Sequence, residues 1–127
     1  MTKPEDDLTA AFEVLVEMDV RELRRYPSTM SLHEALARGA VTTRPLHDPP
    51  KTPLAVLASG VADVDSLVCW RVAELRVAGV QAKPLLVSRR GPDGVMRYYV
   101  CVQMPDGSRE SASGEKVLSA KASEEKS

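Results

Sequence analysis

The sequence predicts an α+β fold in which a buried helix packs on a short antiparallel β-meander and an N-terminal helix precedes both. Apolar residues first recur at steps of three and four, and later segments alternate at the spacing of strands between turn sequences. The 127 residues suffice for one domain with a core and are too few for two. We expect one domain over residues 1–114, with the N-terminal helix at about 5–26 and the core at about 52–114.

The N-terminal helix is predicted by apolar residues that share one face between Leu8 and Leu23, behind an acidic start. Pro27 ends this pattern because proline cannot continue a helix. A shorter helix is expected within residues 31–39. The connection over residues 44–53 carries four prolines, so we expect it to be irregular.

The strongest helix signal begins at about Asp63 and ends before Gly79. Its apolar residues cover most of the helix circumference, which predicts burial on several sides. Asp63 or Asp65 suits the N-cap, and Gly79 suits a left-handed stop. A short helix between Pro53 and Gly60 is expected just before it.

Three strands are predicted after the buried helix, at residues 80–88, 95–104 and 108–111. The first two are joined by a turn over residues 89–94, which is rich in glycine, proline and aspartate. The second turn, over residues 105–107, is Pro-Asp-Gly. These short connections predict an antiparallel meander.

Composition argues against several classes of function. Seventeen basic and eighteen acidic residues give a pI near 6.1, which does not favour nucleic acid as a partner. No apolar run has the length of a membrane span or a signal-peptide core, so we expect a cytoplasmic protein with no membrane partner. Cys69 and Cys101 show no metal-ligand spacing, so we expect reduced, buried thiols, no metal and no cofactor. Residues 115–127 have little to bury and are expected to be flexible.

Twenty or so residues around the buried helix resemble a known motif. Residues 60–82 resemble the transglutaminase-like pattern Gly-x-x-Asp-Cys-(Asp/Glu)-Asp-Leu, followed by Trp-Arg-x-Ala-Glu-Leu-Arg-x-x-Gly-(Ile/Val)-x-Ala. Residues 98–100 resemble the family's Tyr-His-Val strand, and residues 105–113 resemble Pro-Asp-Gly-x-x-Glu-Asp-Pro-Ser. Tyr26-Pro27 and residues 32–39 resemble the approach segment of small phage-associated members. The resemblance implies a papain-like fold.

The same resemblance implies that the family's catalytic triad is lost. In the family, a cysteine at the N-terminus of the buried helix attacks an amide, a histidine activates it, and an aspartate orients the histidine. These positions hold Val64, Tyr99 and Ser111. The implied function is that of a pseudoenzyme, a structural or adaptor component of a phage or phage-derived particle. Its partner is then another protein, bound through the N-terminal helix or the tail.

Two other functions stay open on the sequence. Cys69 or Cys101 could act as a displaced nucleophile in a thiol-dependent amidase, peptidase or acyltransferase, with His33 or His47 as the only imidazoles. A non-cleaving peptide-binding module would instead need an open groove beside Val64 and Tyr99.

The favoured interpretation of the degenerate positions is structural. We expect Val64, Tyr99 and Ser111 to fill the former site, with the valine against the tyrosine ring. Arg71 and Glu74 are expected to form a half-buried pair that fastens the helix to nearby backbone.

Overall fold

Helices dominate the first part of the chain and strands the last part in the computed structural model, which describes residues 4–45 and 49–113. The described part of the chain contains four helices and five strands. In chain order they are α1 (Pro4–Arg25), α2 (Leu32–Ala37), β1 (Thr42–Thr43), α3 (Pro53–Ser59), β2 (Val61–Ala62), α4 (Val64–Val77), β3 (Lys83–Arg90), β4 (Met96–Gln103) and β5 (Arg109–Glu110). The mixed α+β class is thus confirmed, while the tail expected at 115–127 lies outside the described residues.

The helix α4 has the boundaries and burial that the sequence predicts. Asp63 is extended, and its Oδ1 accepts the backbone N–H of Ser66 at 3.0 Å, which caps the first turn. Gly79 follows the helix with φ of +91°, a backbone angle that favours glycine. Burial extends around most of the helix, and its buried residues are Ser66, Leu67, Val68, Cys69, Trp70, Val72, Ala73 and Leu75.

The sheet is an antiparallel meander in the order β3-β4-β5, as predicted. Strand β3 starts later than the predicted residue 80, because the N–H of Val80 donates to the carbonyl of Leu75 at 2.8 Å and closes the end of α4. Strand β3 also continues to Arg90, beyond the predicted end at 88. Only two residues of β5 pair with β4, at Val102 and Gln103.

A short parallel pair of strands, β1 and β2, was not predicted. Thr42 pairs with Val61 and Thr43 with Ala62. Two-residue strands have no measurable period, so the pairing depends on the tertiary fold rather than on a local pattern. Its consequence is that the chain leaving β1 passes beside the start of α4.

One hydrophobic cluster joins the four helices to β4, and Trp70 is its largest fully buried side chain. Two ion-pair groups tie α4 to its neighbours. Arg71 pairs with Glu74 at 3.4 Å, and Glu74 Oε2 accepts the N–H of Leu32 at 2.9 Å, so the predicted fastening pair is confirmed. The second group is centred on Arg76.

Arg76 links three elements through one guanidinium. Its Nη1 and Nη2 donate to Glu13 of α1 at 3.0 and 2.9 Å, and Nη1 also reaches Glu17 at 3.1 Å. Its Nε donates to the carbonyl of Ala82 at 2.9 Å. Arg76 therefore bonds α4 both to α1 and to the segment that leads into β3.

Candidate functional site

The N-terminus of α4 is the place where a papain-type enzyme would hold its cysteine. Val64 is the first residue of this helix, directly after the N-cap Asp63. Its side chain is 49% exposed. The valine methyls carry neither a lone pair nor an acidic proton. A substrate could reach this position, but it would find no nucleophile there.

An open cavity of about 400 Å³ lies beside Val64. Its described walls are the chain after β1 and the first residues of α4, namely Thr43, Arg44, Pro45, Asp63, Val64 and Asp65. Burial and the nearby charge of Asp63 raise the pKa of Asp65 above its ordinary value. The described lining of the cavity thus combines two carboxyl groups and one guanidinium with the apolar side chains of Pro45 and Val64.

Tyr99 lies on β4, opposite Val87 of β3, and is 51% exposed. Successive strand residues point to opposite faces, and Val100 and Val102 occupy the face that joins the hydrophobic core. Tyr99 therefore points away from the core that contains α4. It is not among the described residues that line the cavity beside Val64.

Ser111 directly follows β5, and its Oγ shares a hydrogen bond of 2.9 Å with Ser113 Oγ. It is also absent from the described lining of the cavity. The expectation that Val64, Tyr99 and Ser111 fill a closed former site is wrong, because Val64 and Tyr99 are half exposed. The groove that a binding module needs is open at Val64, and Tyr99 lies elsewhere.

Both cysteines are free and buried, as predicted. Cys69 lies inside α4, with its Sγ 3.8 Å from the carbonyl oxygen of Phe12. Burial, followed by the charge of Asp19, raises the pKa of the Cys69 thiol far above its ordinary value. Burial also raises the pKa of Cys101. A buried thiol with a raised pKa is a poor nucleophile at neutral pH.

Imidazole bases and metal ligands are not assembled in the described part of the chain. His33 is exposed on α2, and His47 lies outside the described residues. Within residues 4–45 and 49–113, no group of three or more His, Cys, Asp or Glu side chains is placed to hold a metal ion. No helix in the same ranges is long and apolar enough to cross a bilayer.

A buried carboxyl group at Asp19 is the feature that the sequence interpretation missed. Asp19 is fully buried on α1, and neither of its carboxyl oxygens has a hydrogen-bond partner among the described residues. Burial, followed by the charge of Glu22, raises its pKa to about 8. The signal was present in the spacing, since Asp19 stands three residues after Val16 and four before Leu23, on the buried stripe of α1.

Comparisons with known proteins identify no relative. Neither a family model, nor a curated protein, nor a solved structure matches this chain.

Proposed function

We propose that this chain is a catalytically inactive domain of the transglutaminase-like, papain type that serves as a structural or adaptor component by binding another protein. The observation that carries the proposal is Val64 at the first position of α4. A cysteine there would be activated by the helix N-terminus, whereas valine cannot form an acyl-enzyme. The resemblance assigns Tyr99 and Ser111 to the other two positions, where a phenol and a hydroxyl replace the imidazole and the carboxylate, although neither residue is among the described residues that line the cavity beside Val64.

The competing function, a thiol enzyme with a displaced cysteine, finds less support. Such an enzyme needs a thiolate that a substrate can reach. Cys69 and Cys101 are both buried, and burial raises both thiol pKa values. No described histidine is paired with either thiol, since His33 is exposed on α2 and makes no hydrogen bond to them within residues 4–45 and 49–113.

The chemical part of the proposal is tested by labelling thiols with iodoacetamide in the folded protein. We expect Cys69 and Cys101 to react much more slowly than free cysteine, and to react fully once urea unfolds the chain. The Val64→Cys variant is the matched control, since its thiol is exposed at a helix N-terminus and should label quickly. Fast labelling of Cys69 or Cys101, together with amide cleavage that alkylation abolishes, would establish the enzyme instead.

The assembly part of the proposal places the domain in a phage or phage-derived particle. It is supported by the resemblance of Tyr26-Pro27 and residues 32–39 to small phage-associated members. Hydrogen exchange on the protein in its native assembly and alone should reveal one contiguous surface that the assembly protects. Equal exchange in both samples would contradict an adaptor role.

The cavity beside Val64 favours a second candidate, a peptide-binding module that does not cleave. Its open volume of about 400 Å³ is compatible with a few side chains of an extended peptide. Titration with short peptide amides should shift the NMR signals of Thr43 and Asp65 in the native chain but not in Val64→Trp, which fills the cavity. Shifts that are identical in the two proteins would exclude this site.

A further inference from the structure

The outer half of the β3–β4 hairpin has no covering on either face. Near the sheet's base Pro84, Cys101 and Val102 are buried, whereas residues 96–99 are all exposed. Tyr98 and Tyr99 are 45% and 51% exposed, although adjacent strand residues point to opposite faces. The outer half is therefore a two-stranded ribbon in solvent.

One edge of this ribbon has no neighbouring strand. β5 pairs with β4 only at Val102 and Gln103, so along residues 96–101 no strand of the described chain lies on that side of β4. The other edge belongs to β3, which also pairs with no strand except β4 in the described chain but which contacts α1. Unpaired backbone N–H and C=O groups on an exposed strand are a template for an added strand.

The ribbon is basic although the whole chain carries a net charge of −1. The outer half, residues 87–99, contains three basic side chains, Arg89, Arg90 and Arg97, and a single acidic one, Asp93, which is already bonded to Arg97 at 2.8 Å. Arg89 pairs directly opposite Arg97, an arrangement of like charges that costs stability within a sheet. Neither Arg89 nor Arg90 forms an ion pair with another described residue.

Each face of the ribbon combines a tyrosine with a free guanidinium. Strand register places Tyr99 with Arg89 and Arg97 on one face. Tyr98, Met96 and Arg90 share the other. Tyrosine and arginine are the residue types that contribute most at protein interfaces. A strand added beside β4 would direct its alternating side chains to both faces, next to Tyr98 and Tyr99. The arginines of β3 would lie two strand spacings, about 10 Å, from its backbone, which long side chains can span together.

We propose that the free edge of β4, residues 96–101, binds an extended acidic segment of a partner protein as an added strand, with its carboxylates on Arg89 and Arg90. This inference rests on the proposed adaptor function and names the partner's chemistry. A second copy of the chain is disfavoured, because two ribbons paired edge to edge would bring their arginines together. Single-stranded nucleic acid is also disfavoured. It could stack on the tyrosine rings and pair with the arginines, but it would leave the backbone N–H and C=O groups of β4 unpaired.

The test is selection from a displayed library of random peptides of about ten residues, the length of a long strand, on the full chain. We expect acidic peptides with alternating apolar residues to be enriched, and hydrogen exchange to slow at the amides of residues 96–101 on binding. Arg89→Glu/Arg90→Glu should weaken binding at least about tenfold. Arg21→Glu/Arg24→Glu makes the same charge change at two exposed positions of α1 and should leave binding unchanged. Methylation of the peptide's backbone nitrogens should abolish it.

Other outcomes overturn the inference. Selected peptides without an acidic excess, no enrichment at all, or protection outside β4 would each do so. Tighter binding of oligothymidylate than of any selected peptide would assign the ribbon to nucleic acid, and concentration-dependent dimerisation lost in Tyr99→Ala would assign it to a second copy. Binding that appears only after removal of residues 115–127 would mean that the chain's own tail occupies the edge. A native assembly that protects a different surface would overturn this inference and leave the adaptor function standing.

Discussion

The helical half of the molecule and the outer hairpin differ in what they bury: the helices bury polar groups that lack partners, and the outer hairpin buries almost nothing. Between α1 and α4, a carboxyl group at Asp19 and the indole N–H of Trp70 are buried without hydrogen-bond partners among the described residues. In the outer hairpin no residue from Val95 to Tyr99 is buried, whereas the exposed apolar side chains of α1, such as Val14 and Met18, share a helix with a buried stripe. Buried polar groups without partners cost stability, and exposed apolar groups give none. The comparison separates a region that determines stability from one that is available for binding.

The largest loss of stability is expected at Trp70, the biggest fully buried side chain. Trp70→Ala should lower the free energy of unfolding by about 3–5 kcal/mol, because it leaves a large cavity in the core. Urea denaturation followed by circular dichroism measures this. Trp70→Phe should cost less, since it keeps an aromatic ring and removes the buried N–H. Equal losses in both variants would show that the cavity is not the cause.

The second effect is a pH dependence that originates at Asp19. Its pKa in the folded chain is about 8, against an ordinary value of 3.8, so the folded state holds the proton more tightly. Its protonated form therefore favours folding below about pH 4, and this contribution is lost as the pH rises through about 8. Asp19→Asn should flatten this decline and raise stability at pH 9 by up to about 6 kcal/mol, because the shift from 3.8 to about 8 corresponds to about 1.4 kcal/mol per pKa unit.

Unfolding measured at several pH values tests this prediction. Asp7→Asn, at an exposed position on the same helix, is the matched control and should follow the native curve. A native protein whose stability is constant or increases between pH 5 and pH 9 would contradict the raised pKa.

Two arginine pairs allow the same substitution to be compared in the two regions. Arg76→Ala should cost about 2 kcal/mol, because half-buried Glu13 and the carbonyl of Ala82 lose their donor. Arg97→Ala breaks an exposed pair with Asp93 and should cost much less, because water already solvates both charges. Thermal unfolding of both variants gives the difference. A larger loss of stability in Arg97→Ala than in Arg76→Ala would contradict the conclusion that the helical half, rather than the outer hairpin, determines stability.

The smallest effect is expected for the exposed tyrosines. Tyr98→Ser and Tyr99→Ser should each change the free energy of unfolding by less than about 1 kcal/mol, since half of each ring is already in solvent. The same variants should weaken the binding of selected acidic peptides. Variants that lose stability but retain peptide binding would show that the rings serve the fold.

Local patterns predicted most of the fold. Asp63 as the cap of α4, the stop at Gly79 and the meander are all determined by residues close in sequence. The β1–β2 pair could not be predicted, because it joins two short segments through tertiary contacts. Asp19 was missed because a charged residue on an apolar stripe is usually assigned to the edge of the stripe rather than to its centre.

The candidate site was predictable at Val64 and much less so elsewhere. Its position at the start of α4 follows from the helix signal and the cap. The side to which the Tyr99 ring points depends on which face of β4 meets the core. Both faces of β4 carry apolar residues, so the sequence does not show which face is buried. The exposure of the outer hairpin depends on how far the helices extend over the sheet, which is a property of the assembled fold.

The buried carboxyl group of Asp19 also changes the chain's electrical behaviour. A group with a pKa of about 8 keeps its proton at pH 7, so the folded chain carries one negative charge fewer than its formal charge of −1 and is close to neutral. The unfolded chain loses that proton and keeps the isoelectric point near 6.1 that its composition gives. Isoelectric focusing with and without urea should therefore separate the two states, and the folded protein should be least soluble near neutral pH.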